Sequence, residues 1–406
     1  MSDDAEHTTN QNLPPSFFKK HNDFVVEERN TTPTDVSQFM RLNCPRYLRL
    51  RLYQKANGDD FLYDYDVAPQ AITPLLTAAG LDFERRVEEA AAEAFTTLHC
   101  SDPDGEISGD LGDSERGVTD NGLVAERALL LGNGATLLLF QPRLAAPLGV
   151  WSVVGDVDIL RLHQDDVGQL HILIVDIKGT ARPKTEHRLQ VAFYAEMIAV
   201  VMAEAAVPVA AVDIGILYRG PADGATVDLP PLREAAQRRL AARYLGVEDA
   251  LLEVIANKQD YTAEVRDLLV GDEAVVARIA ERPFAEVSYR LGLKCDGCLF
   301  NEFCLKDSHE RGDLSVIPYI SDAQKRGLQA EGVRSVGEVA GLMRFAEDEE
   351  VGKDTLTPAQ QHKALVRRLL SGNVGPHLEE LVLRARRVNS ARRSSGASQE
   401  GAEAAE

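Results

Sequence analysis

Four of the five cysteines constrain this chain most. Cys295, Cys298 and Cys304 form a C-x2-C-x5-C cluster, and Cys44 stands about 250 residues before it. In a chain without a secretory signal, soft thiolates at this spacing point to ligation of an iron-sulfur cluster or of zinc rather than to disulfides. A metal held by all four would staple the two ends of the chain together. Spacing alone fits tetrahedral zinc as well as a 4Fe-4S cubane. Cys100 has no neighbouring ligand pattern and reads as a buried or incidental thiol.

A chain of 406 residues at 44% hydrophobic content can bury a sizeable core, and its length suggests two or three domains. It opens Met1-Ser2-Asp3-Asp4, with neither a basic n-region nor an apolar core, so the expected compartment is the cytoplasm, where thiols stay reduced. The longest apolar stretch, Val191 to Leu217, is interrupted by Glu196, Glu204 and Asp213. It reads as a buried helix followed by a strand, with no membrane span. The net charge of −20 argues against holding duplex DNA mainly by counterion release, yet it does not exclude a nucleic-acid enzyme. Acid gathers at Asp3, Asp4 and Glu6, in 101–121 and at Glu347 to Glu350. Arg46, Arg49, Arg182, Lys184 and Arg188 are the candidates for a local basic groove, against the bland alternative of solvated basic faces.

Composition marks 1–33 and 386–406 as tails. Thr34-Asp35 caps a helix that Pro45 restarts, a second helix covers about 73–95, and 101–121, rich in Gly, Asp and Ser, reads as an acidic insertion. Arg127–Leu131 and Thr136–Phe140 read as strands joined by Gly132-Asn133-Gly134. Chemistry enters with the next hairpin, Val153–Leu162 and Leu170–Lys178 around the turn at 164–168. A symmetric register sets Asp158 opposite Asp176, and the two-residue period puts Asp176 and Lys178 on one face. Such carboxylates hold Mg2+ or Mn2+ while leaving room for water and a phosphate oxygen, and a lysine there orients the water and stabilises negative charge. An isolated Asp-x-Lys usually marks a solvated strand end. Here it follows Ile172-Leu173-Ile174-Val175, so the charges emerge from a buried central strand. Downstream, 186–202 reads as an amphipathic helix with Gln190 and Tyr194 on one face.

Taken in order, Gly155-x-x-Asp158, Asp176-Ile177-Lys178, Gln190-x-x-x-Tyr194 and the four cysteines resemble the RecB-like branch of the PD-(D/E)XK nucleases. The resemblance, over about 34–307, is to iron-sulfur members related to the CRISPR-associated RecB-like exonucleases and the AddB nuclease domain, in which one cysteine precedes the core and three follow it. It implies an α/β, restriction-endonuclease-like core, a mixed central sheet flanked by helices, within a nuclease domain at 34–310. It implies a divalent-metal-dependent DNA nuclease, an exonuclease on single-stranded DNA or DNA ends. Gly80-Leu-Asp-Phe-Glu84 is similar to the family's helical Gly-x-x-x-His/Glu motif, which makes Glu84 a third ligand beside Asp158 and Asp176. Asp156 falls on the same strand face as Asp158 and competes with it. Lys178 becomes the catalytic lysine, and Gln190 and Tyr194 support the substrate. The resemblance favours a 4Fe-4S cluster on Cys44, Cys295, Cys298 and Cys304 over zinc, and a helicase, repair or defence partner.

Beyond the core, 311–385 reads as a small C-terminal helical module. A helix near 322–331, Gly332-Val-Arg-Ser335 and a second helix to about Leu342 look like a helix-hairpin-helix unit, whose turn amides would touch backbone phosphate, against the alternative of a plain packing module. The contrasting function is a non-catalytic iron-sulfur nucleic-acid-binding or assembly subunit that retains the nuclease fold. The carboxylates and the lysine favour the enzyme.

Overall fold

The structure, a computed structural model, describes residues 24–69, 74–100, 119–220, 230–271, 273–346 and 355–403. Residues 1–23, most of the acidic insertion (101–118) and Glu347 to Glu350 lie outside the described residues. The rest falls into two compact units, one within 24–58 and 71–287, the other within 59–70 and 288–406. Helices and strands are numbered along the chain.

The first unit is organised around β7 (Leu170–Lys178), a nine-residue apolar strand. Its β-branched run suits a strand buried on both faces. It is the fourth strand of a mixed six-stranded sheet ordered β2-β3-β6-β7-β8-β9, where β2 is Thr96–His99, β3 Thr136–Phe140, β6 Ile159–Gln164, β8 Ala211–Tyr218 and β9 Leu251–Val254. β7 pairs antiparallel with β6 and parallel with β8. The parallel pair requires a crossover, which is α6 (Thr185–Glu204). One sheet face packs Leu173, Val175 and Ile177 against Phe83 and Val87 of α4 (Pro74–Ala94) and Leu245 of α7 (Pro231–Leu245). By the two-residue alternation, Asp176 and Lys178 point to the opposite face. A second sheet, of β1 (Asn30–Thr31), β5 (Trp151–Asp156) and β4 (Arg143–Leu148), lies in the same unit with α1 (Pro33–Leu42) and α2 (Pro45–Asn57). The unit is completed by α5 (Asn121–Leu130), α8 (Lys258–Leu269) and α9 (Val275–Glu281).

Three expectations are corrected here. Residues 127–131 belong to helix α5 and its cap, not to a strand; an apolar run of that length fits either period. Val153–Leu162 is two strands in two sheets, because the chain turns at Val157 and Asp158 and changes partners from β1 and β4 before the turn to β3 and β7 after it. Finally, α6 is buried on most of its surface rather than amphipathic, since it packs against α1, α8, β4 and β8.

In the second unit, α3 (Asp60–Tyr63) places Phe61 edge-on to Phe303 with ring centroids 6.0 Å apart, and Tyr65 meets the same ring at 5.1 Å. Phe303 lies on α10 (Asn301–Arg311). Then follow α11 (Asp322–Ala330), α12 (Val336–Gly341), a hairpin of β10 (Met343–Phe345) with β11 (Leu356–Pro358), α13 (Lys363–Ser371) and α14 (Leu378–Glu403). Their core includes Leu314, Leu328, Val336, Leu369, Leu381 and Ala385. Part of the stretch expected as a C-terminal tail is therefore helix: Arg386 donates to Ala340 O and Met343 O, and Arg392 to Glu310 O at 3.2 Å. Both α11 and α12 start with capping boxes, Ser321 with Gln324 and Ser335 with Glu338.

Candidate active site

The site begins with register. Ile159 pairs with Val175 and Leu160 with Ile174, so the β6/β7 ladder, continued one step, sets Asp158 across from Asp176. Asp158 lies just outside β6, where the chain leaves one sheet for the other, and its Oδ2 accepts the Ile177 N–H at 2.5 Å. That bond fixes one carboxylate to the strand that carries the other. Asp156, the competitor, ends β5 and faces Arg143 at 3.5 Å.

Asp176 is 2% exposed. Its Oδ1 accepts from Lys178 Nζ at 2.8 Å, while Oδ2 is buried with no hydrogen-bond partner. Burial pushes its pKa up to about 8 against the pull of Lys178, and the Asp158 charge adds to the rise. Burial would lower the Lys178 pKa, but Asp176, Asp158 and Glu84 outweigh it, so the ammonium stays charged. Glu84 reaches this centre from α4. Gly179, just past β7, comes close to Gly80: a Cβ built on Gly179 would lie 4.0 Å from the Gly80 Cα. Burial and then the charge of Asp158 lift the Glu84 pKa to about 7, opposed by Lys178. Three acids and one lysine from α4, the sheet-switching bend and β7 thus act on one another.

A buried carboxylate oxygen with no donor is a group that a cation would satisfy. Oxygen donors of this type suit Mg2+ or Mn2+, so Glu84, Asp158 and Asp176 fit a hard divalent ion in chemistry. As they stand, one Asp176 oxygen is engaged by Lys178. Among the described residues, no group of three or more His, Cys, Asp or Glu is arranged to hold a metal ion.

Tyr194 and Gln190 lie on α6. The Tyr194 hydroxyl donates to Asp156 O at 2.7 Å. Its ring fills space that only glycine at 155 leaves, since a Cβ there would meet Tyr194 Cε1 at 2.9 Å and Pro33 Cδ at 3.0 Å. Burial first, then the charges of Asp158 and Asp176, hold its pKa well above the usual tyrosine value, with a hydrogen bond from Gln190 opposing. Tyr194 therefore anchors the backbone two residues before Asp158.

Of the basic candidates, Arg46 and Arg49 are buried. Arg49 donates to Phe24 O at 2.7 Å and to the carbonyls of Ile279 and Ala280, and Arg46 stacks on Phe284 at 4.6 Å. They pin chain segments together and form no groove. Arg188 pairs with Glu253 at 2.9 Å; Arg182 and Lys184 are exposed. Two further residues lie within electrostatic reach of the site. Glu88, one turn beyond Glu84, is raised in pKa by burial, with the Asp158 charge adding and His99 opposing. His187 is pushed down to about 4 by burial and by Lys178 and is neutral near pH 7. The four-residue spacing of Glu84 and Glu88 was the available signal for the first.

Cys295, Cys298 and Cys304 belong to the second unit. Asp296 (φ −62°, ψ 122°) and Gly297 (φ +74°) make a type II turn, closed by Cys298 N–H to Cys295 O at 2.9 Å. Two thiols thus stand at the ends of one tight turn, and Cys304 is buried in the first turn of α10.

The PD-(D/E)XK nuclease superfamily matches residues 73–305, more than half of the chain. The chain belongs to that superfamily. Its members are metal-dependent nucleases that use divalent ions such as Mg2+ or Mn2+, so a nucleic-acid substrate follows for this nuclease, and the mixed sheet flanked by helices is the fold expected of it. No curated protein matches. Among solved structures, the one titled "Crystal structure of SSO0001" is 13% identical, covers 71% of this chain and 91% of its own, and has a TM-score of 0.29. No helix among the described residues is long and apolar enough to cross a membrane.

Proposed function

We propose that this nuclease is a RecB-like enzyme that hydrolyses DNA, acting as an exonuclease on single strands or ends. Glu84, Asp158 and Asp176 hold the divalent ion and Lys178 is the catalytic lysine. What carries this proposal is Asp176, buried in the central strand with one oxygen on Lys178 and the other without a donor. A bound divalent ion supplies charge neutralisation at the scissile phosphate. Lys178, kept charged by three carboxylates, orients the attacking water and stabilises the charge that develops on phosphate. Tyr194 and Gln190 support the substrate indirectly, by holding the bend that carries Asp158.

The order of the cysteines along the chain supports a 4Fe-4S cluster on Cys44, Cys295, Cys298 and Cys304, and the turn between Cys295 and Cys298 suits two thiolate ligands. A helicase, repair or defence partner and a cytoplasmic location belong to the same proposal.

The test is anaerobic purification with a visible spectrum, then digestion of end-labelled single-stranded DNA with Mn2+ or Mg2+. A brown protein that loses cutting in Asp176→Ala and in Lys178→Ala is the expected result. Variants that cut as well as wild type would overturn the site assignment. A colourless zinc protein that cuts would remove the cluster and leave the nuclease.

A further inference from the structure

The turn leading into α11 carries a tyrosine where glycine is the unstrained choice. Ile320 N–H donates to Ile317 O at 3.2 Å, closing a four-residue turn with Pro318 second and Tyr319 third. Tyr319 has φ +61°. Proline second and a positive φ third mark a type II turn, whose third position favours Gly or Asn. A bulky side chain in this backbone region is a genuine outlier. Packing does not compensate for it, because Tyr319 is 89% exposed. Strained residues of this kind cluster at ligand clamps, and the inference runs from the outlier to function.

The surroundings indicate which ligand. The Arg384 guanidinium lies 5.6 Å from the Tyr319 ring centroid and is held in place by Pro318 O at 3.1 Å and by Glu380. Arg384 begins a run in α14 in which Arg384, Arg386, Arg387 and Arg392 occur with no Asp or Glu from Leu381 to Arg392, in a chain of net charge −20. Arg386 and Arg392 donate to backbone carbonyls, which leaves their positive charge uncancelled. The nearby carboxylates, Asp322 and Glu380, are paired with Arg290 and Arg384. An aromatic ring braced by arginine on a basic helix is the composition of a base-stacking platform. A protein hot spot would instead sit within an apolar patch. In the neighbouring hairpin the Arg334 and Ser335 amides donate to Glu338 Oε2 at 2.6 and 2.9 Å, so these two donors are engaged within the cap of α12.

We propose that Tyr319, braced by Arg384, stacks a base of single-stranded nucleic acid while the arginines of α14 attract its phosphates. This deepens the nuclease proposal and rests on it. The test uses the full chain without added divalent ion, so that nothing is cut, and a fluorescent oligothymidylate as probe. Tyr319→Gly is expected to weaken binding by about five- to a hundredfold. Its Tm should hold or rise, because glycine adopts this backbone freely. Tyr319→Phe, which keeps the ring, should bind as wild type. A glycine variant that binds like wild type, or whose Tm falls by several degrees, overturns the platform alone. A wild-type protein that binds no oligonucleotide overturns the single-strand reading together with it.

Discussion

Asp176 is a carboxyl whose charged form burial disfavours and whose second oxygen lacks a donor. Its pKa in the fold, about 8, and that of Glu84, about 7, both lie above the ordinary carboxyl range. In the folded protein these groups keep protons that the unfolded chain releases. Their contribution to stability is full below about pH 4 and is lost as pH rises through 7 to 8. A divalent ion competes with those protons and restores what ionisation removes. The gain in Tm on adding Mg2+ should therefore be larger at pH 8 than at pH 6, and absent in Asp176→Asn. An equal gain at both pH values, or one that survives in the variant, would sink the metal assignment. Lys178 is a different case, because its charge acts mainly on the developing phosphate charge. Lys178→Ala should lower kcat by about 10²- to 10³-fold with KM little changed, as for loss of an oxyanion donor. A matching rise in KM in steady-state assays would make it a binding residue instead.

At the scale of elements, the decisive feature is the switch between β5 and β6, which delivers Asp158 to β7. Tyr194 and Gly155 hold it: the hydroxyl bonds Asp156 O, and the missing Cβ admits the ring. Gly155→Ala forces a methyl against Tyr194 and Pro33, an overpacking that costs about 1–3 kcal/mol. It should lower Tm and cutting together, whereas Tyr194→Phe, losing one hydrogen bond worth about 1 kcal/mol, should cost Tm slightly and activity less than tenfold. A Gly155→Ala protein with wild-type melting and turnover would show that the bend does not position Asp158. This switch could not be seen in sequence, because Gly155, Asp156 and Asp158 weaken the strand pattern without ending it, and propensity does not say which sheet a strand joins. The Asp158/Asp176 register could, since alternation and the turn at 164–168 are local. Arg46 and Arg49 misled for a related reason. Arg49 is satisfied by carbonyls at 279 and 280, some 230 residues away, and no local pattern announces such partners.

For the whole molecule, the two units carry separate cores, one around Phe83, Leu173 and Leu217, the other around Leu328, Val336 and Leu381. The segment with Cys295, Cys298 and Cys304 groups with the helices that follow it. Its own bonds explain why. Tyr289 accepts Lys325 Nζ at its carbonyl at 2.9 Å and meets Ser308 Oγ at 2.8 Å, and Arg290 reaches Asp322 at 3.1 Å, so the approach to the cysteine turn is tied to both α10 and α11. Sequence spacing could mark the cysteines, but not these ties, which join residues up to 36 apart through side chains. Two cores imply two unfolding events, and the chain holds a reporter for one of them. Its single tryptophan, Trp151, is buried in β5 of the sheet unit. Leu381→Ala removes a fully buried side chain from the helical core and should cost about 2–5 kcal/mol there. Far-ultraviolet circular dichroism of this variant should then show an early helical transition, while the Trp151 fluorescence transition stays at the wild-type temperature. If both signals shift together, the units unfold as one, and the sheet that carries Asp158, Asp176 and Lys178 depends on the helical core for its stability.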